Sequence, residues 1–311
     1  MLEAPHSHTA SPPRWQIVTA FAAVYIIWGS TYIGIRFAVE TLPPFSMAGA
    51  RAVVAGALLY VWARLRGATK PEFVHWQSAA IIGGLLLLGG NGLLSWALRR
   101  APSGVSALII GSTPLWMVLL EWLWHSGPRP TVGIVSGLVV GFVGLGFLVT
   151  PGRFGNGTHL DIYSVASLLA AAFLCAAGSL YSRRARLPSS QLAAAGMEML
   201  AGGALLMLAG GALGEWTRFE PAHVTARSMI AWLYLTLFGS LIGFTAYVWL
   251  LKATTTARVS TYAYVNPVIA VFLGWALAGE QITMRTLFAA SAIILAVVII
   301  VTQSAEAPSE V

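Results

Sequence analysis

Two charges are set deep in apolar sequence. Arg51 lies in MAGARAVVAGALL at 47–59 and Glu198 in AGMEMLAGG at 195–203. An ionisable group in hydrocarbon is costly, so it usually faces a polar path or a partner. Arg51 stands in the first third of its apolar run. It either snorkels to the nearer headgroups or lines a substrate path. Glu198, between Met197 and Met199, can bind a cationic group, take up a proton or accept a structural hydrogen bond. The sequence favours none of the three.

Two prolines, Pro114 and Pro267, interrupt apolar runs. A proline inside a helix removes a backbone hydrogen bond and kinks the chain. Carbonyls freed at a kink can meet a substrate where they line a cavity; the alternative is a bend needed for packing. Ser112, Thr113 and Asn266 precede the prolines and add polar groups. Tyr262 and Tyr264 are two residues apart, so on a helix at most one is expected to face the centre. Trp28, Tyr32, Trp96, Tyr247 and Trp249 are further candidates for a mostly apolar pocket, or for packing and an interfacial aromatic belt.

Other chemistry is missing from the sequence. There is no HExxH, phosphate loop or GxSxG elbow. His6, His8, His75, His125, His159 and His223 fall in tails, loops or span ends, with no second ligand at helical spacing. Neither a metal site nor a cofactor is expected. The single cysteine, Cys175, excludes a disulfide framework. Near span ends, Arg36 and Glu40 are expected to pair at four-residue spacing. Glu121 and Glu280 read as structural residues at helix ends, and Arg99 and Lys252 as loop anchors.

The elements that hold these groups are membrane spans. Of 311 residues, 57% are hydrophobic and 9% charged, where soluble domains carry about a quarter charged. Mean hydropathy is +0.76. Ten helical spans are expected, at 15–39, 45–63, 76–98, 101–124, 131–149, 162–182, 191–211, 229–251, 257–278 and 286–302. The polar start MLEAPHSHTASPPRWQ does not read as a cleavable signal peptide. The formal net charge of +7 fits positive-inside loops better than a nucleic-acid face. The densest basic run is only Arg183, Arg184 and Arg186. Counting Lys and Arg by side gives ten against eight in favour of both termini inside.

The spans fall into two sets. Placing Pro114 over Pro267 sets Trp96 on Trp249, Arg99 on Lys252 and Gly90 on Gly243, an offset of 153 residues. Five spans per copy would reverse the second copy in the membrane, so two inverted five-helix repeats are expected, in an all-α membrane protein. The divisions are a disordered cytoplasmic tail at 1–14, repeats at 15–150 and 162–302, a joining loop at 151–161 and a tail at 303–311. Gly133, Gly137 and Gly141 in one span, and Gly239 and Gly243 in another, present faces for close helix approach.

VYIIWGSTYIGIRFAVE at 24–40, MAGARAVVAGALL at 47–59, APSGVSALIIGSTPLW at 101–116 and TTARVSTYAYVNPVIAVFLGWALAGE at 255–280 together resemble the drug/metabolite transporter superfamily, specifically its EamA-type ten-helix exporters. The resemblance covers 17–300. It implies a bacterial inner-membrane exporter with a central cavity and both termini cytoplasmic. It also implies a small organic substrate, such as an amino acid, a nucleobase or a related compound, with protons as a candidate coupling ion. Trp28, Arg51, Pro114 and Pro267 match recurrent features of the family; Glu198 does not, which puts a family-wide proton role for it in doubt. The alternative class is a membrane enzyme or sensor. The oligomeric state, monomer or homodimer, is open.

Overall fold

A computed structural model describes residues 13–124, 131–149, 161–254, 256–259 and 261–306. The expected N-terminal tail before residue 13, the loop at 125–130, the joining loop at 150–160 and the last five residues lie outside the described residues, as do His6, His8, His125 and His159. Nine helices among the described residues are long and apolar enough to cross a membrane, and Tyr262–Ala278 is a shorter tenth. We number them α1 (Arg14–Ala38), α2 (Pro44–Leu65), α3 (Phe73–Ala97), α4 (Ser103–Ile110 with Thr113–Trp124), α5 (Val132–Val149) and α6 (Ile162–Ser182). Then follow α7 (Gln191–Ala212), α8 (Ala226–Tyr234, Leu235–Ile242 and Gly243–Ala253), α9 (Thr256–Val259 with Tyr262–Ala278) and α10 (Met284–Glu306).

Local sequence sets these boundaries. Pro43 ends the turn before α2, and Pro44 takes its first position, where a missing N–H costs nothing. Ser190 and Thr225 cap α7 and α8, accepting from the N–H groups of Ala193 at 3.3 Å and Ser228 at 3.2 Å. Gly279 closes α9 at φ 64°, a left-handed stop that suits glycine. Two long helices change winding midway: α3 at Gly84–Gly92 and α8 at Leu235–Ile242 are π-helical. Such wide turns are rare and are frequent at functional sites.

Two glycine seams join the halves of the chain. In α2 and α7 the chains run antiparallel and nearly touch. A Cβ on Gly49 would lie 2.9 Å from Met207 Cγ, and one on Gly56 2.8 Å from the backbone nitrogen of Leu200. From the other side, Gly196 would press on Tyr60 at 2.7 Å and Gly203 on Val53 at 2.9 Å. Adding 147 to Gly49 and Gly56 gives Gly196 and Gly203, and the same shift turns Tyr60 into Met207 and Val53 into Leu200. Helices α2 and α7 thus present glycines to each other in the same register. The second seam joins α5 and α10, where Gly137 meets Ile300 and Gly144 meets Ala292. The glycine face expected at 133, 137 and 141 is this seam.

The two ends of the bundle can be named by residues. Ser103 begins α4 and Glu121 lies near its end, eighteen residues on. At ~1.5 Å per residue that is about 27 Å of helix.

Candidate functional site

Arg51 is 7% exposed. At about 100° per residue it lies across α2 from the seam that Gly49 and Gly56 form with α7. Its Nη2 donates to Asn91 Oδ1 at 2.9 Å. Among the described residues its Nε is buried without a partner, and no carboxylate lies within ion-pair distance. Asn91 belongs to the π stretch of α3, and one turn on, the buried Ser95 hydroxyl also has no partner among the described residues. A desolvated guanidinium held by one neutral amide retains unfilled donors, and the surplus charge favours an anionic or carbonyl oxygen. Glu198 is the position 147 residues after Arg51. It is half-buried and makes no ion pair among the described residues.

The aromatic candidates divide into two groups. Trp28, Tyr247 and Tyr262 form a triangle, with ring centres 5.1, 5.2 and 5.8 Å apart. Trp28 Nε1 donates to the carbonyl of Gly239 at 3.2 Å, inside the π stretch of α8. Gly243 makes room for the indole: a Cβ there would fall 2.6 Å from Trp28 Nε1. Trp249 packs on the same cluster. Tyr32, Trp96 and Tyr264 instead pack against the central apolar core. Tyr262 and Tyr264 therefore go to different groups, as their spacing requires.

The prolines are not equivalent. Pro114 does not kink a continuous α4. The helix stops at Ile110, turns through Gly111 and Ser112, and restarts at Thr113. Pro114 takes the second position of the new segment, where its missing N–H is harmless. Helix α9, by contrast, runs through Pro267, and a Cβ on Gly111 would lie 2.9 Å from Pro267 Cγ. The break in one helix thus receives the proline of the other. Ser112 and Thr113 donate back to Ile109 and Ile110 carbonyls, each at 2.6 Å, so their hydroxyl protons are used locally. Asn266 is 7% exposed, and its Oδ1 is buried without a partner among the described residues.

Charges at the ends of the bundle are arranged differently from expectation. Arg36 does not pair with Glu40. It pairs with Glu280, while Glu40 takes Arg227 at 3.4 Å. Position 40 lies past the end of α1, where the helical four-residue register no longer holds. Glu280 also accepts from Ser103 N at 2.6 Å, Ser103 Oγ at 2.8 Å and Gly104 N at 3.0 Å. One carboxylate thereby caps α4 and ties α1 to α9. Glu215, just past α7, does the same for α2, accepting from Phe45 N at 3.1 Å and from Ser46 N and Oγ at 2.8 and 2.7 Å. A cleft of about 400 Å³ opens beside it, lined by Glu40, Arg99, Glu215, Arg218 and His223. A larger groove of about 1010 Å³ lies between α4 and α5, lined by Leu119, Trp122, Val139 and other apolar side chains. It holds none of the polar groups above and suits lipid chains rather than a polar ligand.

Sequence reasoning missed Asn91, Ser95, Glu215 and the roles of Arg36 and Glu280. Asn91 carried a signal, as a lone amide in a glycine-rich apolar run. Glu215 and Glu280 act on helices 169 to 177 residues away in sequence, which spacing cannot reveal.

The model of the EamA-like transporter family matches this chain twice, over 14–150 and 162–302. The chain is 37% identical over 282 residues to the inner membrane transporter YedA of Escherichia coli strain K12, covering 90% of this chain and 89% of that protein. It is 24% identical over 295 residues to the transporter YvbV of Bacillus subtilis strain 168, covering 94% and 93%. A solved crystal structure aligns with a TM-score of 0.60 at 20% identity, over 95% of this chain and all of the other. That likeness concerns the fold.

Proposed function

The chain belongs to the EamA-like transporter family and is a multi-pass inner-membrane transporter, and from that premise we propose that it exports a small organic metabolite by alternating access between two inverted repeats. Both termini are cytoplasmic in this reading. The substrate is an amino acid, a nucleobase or a related compound. It passes between the copies, against Arg51 and Asn91 on one side and the Trp28, Tyr247 and Tyr262 rings on another. Tyr32, Trp96, Tyr264 and Asn266 complete the candidate lining. Glu198, the counterpart of Arg51, is the candidate proton carrier.

The observation that carries the reading is the buried Arg51, whose one partner among the described residues is a neutral amide at 2.9 Å. A charge kept in this position without an ion pair is costly to folding, and groups of this kind in membrane proteins mark substrate paths. The two π stretches support it, since Asn91 sits on one and the carbonyl receiving Trp28 on the other. The matched glycine registers support two like units that rock about a common seam.

The test is flux in inside-out vesicles, across a panel of amino acids, nucleobases and organic cations, with and without a pH gradient. Accumulation of one class above vesicles lacking the protein is expected. No movement of any compound would defeat the proposal.

A further inference from the structure

Among the described residues three Arg–Glu pairs link the copies: Arg36–Glu280 and Arg227–Glu40 at the Ser103 end, and Arg183–Glu121 at the other. At the Ser103 end, Arg36 of α1 pairs with Glu280 after α9, with side chains 32% and 8% exposed. At the Glu121 end, Arg183 after α6 pairs with Glu121 of α4 at 3.5 Å, with side chains 57% and 46% exposed. The arginines are counterparts: Arg36 and Arg183 are 147 residues apart, the shift that relates the α2/α7 seam.

The glutamates are not sequence counterparts, yet their carboxylates reach matched places. The offset of 153 sets Glu121 on Gly274. A side chain built on Gly274 would run into the Glu280 carboxylate and lie 2.8 Å from Ser103 Oγ. Glu280 therefore reaches back from beyond its helix into the space that position 274 leaves empty. In the other copy, position 121 supplies the carboxylate itself.

The two pairs differ in closure. Glu280 is sealed and accepts from the start of α4 as well as from Arg36. Among the described residues Glu121 has one long contact, to Arg183, and both side chains stand in the open. An exposed, long pair contributes little; a buried carboxylate that loses its donors costs much. One end is latched and the other is loose.

We propose that Arg36–Glu280 and Arg183–Glu121 are reciprocal latches that determine which end of the transporter opens, and that this structure holds the Ser103 end shut. The proposal rests on the alternating-access reading. In the opposite state Glu280 releases Arg36 and Ser103, and Glu121 with Arg183 becomes the sealed pair. The asymmetric donors of Glu280, two backbone N–H groups and a hydroxyl besides the guanidinium, favour the state seen here.

The test needs no substrate. In a Cys175→Ala background, spin labels are placed at Arg99 and Gln281 for the latched end, and separately at Leu123 and Arg184 for the loose end. All four are exposed and outside the latches. Distances are measured in the full chain in lipid nanodiscs. Glu280→Gln and Arg36→Gln should each add a longer Arg99–Gln281 population and a shorter Leu123–Arg184 population. Arg36→Lys should stay close to the unsubstituted protein. Glu121→Gln and Arg183→Gln should leave the Arg99–Gln281 distances unchanged. Unchanged distances in Glu280→Gln and Arg36→Gln would overturn the proposal. So would equal broadening of both pairs in all four variants, which marks a loosened fold. If Glu280→Gln does not fold, Arg36→Gln decides alone. Distance shifts in a protein that moves no compound would keep the latches and defeat the transport reading; flux without shifts would do the reverse.

Discussion

Arg51 and Glu198 occupy matched places in the two copies, each two residues past a seam glycine, Gly49 and Gly196, and they carry opposite charge. A Cβ on Gly49 or Gly196 would come within 2.9 Å of the facing helix, so α2 and α7 are in direct contact at this register. Helix α2 thus carries a cationic group and α7 an acidic group at matched positions. The guanidinium is the more buried of the two.

Replacing Arg51 by Gln removes a desolvated charge and keeps an amide that can face Asn91. The melting temperature of purified Arg51→Gln in detergent should equal or exceed that of the unsubstituted protein, because the burial cost disappears. A fall of several degrees would mean that Arg51 holds the fold rather than the substrate.

Glu198→Gln keeps the shape and loses the titratable group. The expected outcome is flux that no longer responds to a pH gradient, with exchange of substrate across the membrane retained. Undiminished gradient-driven flux in this variant would remove Glu198 from coupling.

The α2/α7 seam makes a steric claim. A methyl on Gly56 meets backbone of Leu200 at 2.8 Å, which cannot rotate away, whereas one on Gly84 first meets the Leu205 side chain at 3.5 Å. Gly56→Ala should destabilise by about 1–3 kcal/mol, and Gly84→Ala should have little effect. Thermal unfolding of the two side by side checks this; equal effects would mean that the seam is softer than its geometry.

Trp28 reaches a carbonyl in the π stretch of α8 at 3.2 Å. Trp28→Phe keeps the ring against Tyr247 and Tyr262 but drops that bond. It should cost about 1 kcal/mol of stability, while Gly243→Leu, which fills the space of the indole, should cost more. Stability in Trp28→Phe equal to that of the parent would show the bond to be idle.

Much of the architecture was legible in the sequence because a bilayer demands long apolar helices. The spans expected at 131–149 and 162–182 match α5 and α6 within a residue. The break at Gly111–Ser112 was not legible: Pro114 suggests a kink, but the interruption comes where Gly111 must admit Pro267 from 156 residues away. The π stretches also left no clear mark, since their glycines serve helix approach equally well. Arg51 and Glu198 could be singled out as charges in apolar runs, yet the partner Asn91 depends on which faces of α2 and α3 meet. Four-residue spacing favours Arg36 with Glu40, but the tertiary partner Glu280 prevails because it comes with the α4 N-terminus.

The central claim is that substrate passes between the two copies against Arg51. It is tested most directly by exchange of radiolabelled compounds in proteoliposomes, comparing the parent chain, Arg51→Lys and Arg51→Gln at equal reconstituted amounts. The parent should exchange at least one compound class, with Arg51→Lys reduced and Arg51→Gln lower by roughly tenfold or more, the loss of about 1.4 kcal/mol in the rate-limiting step. Exchange by Arg51→Gln at the parental rate, for every compound the parent carries, would contradict it.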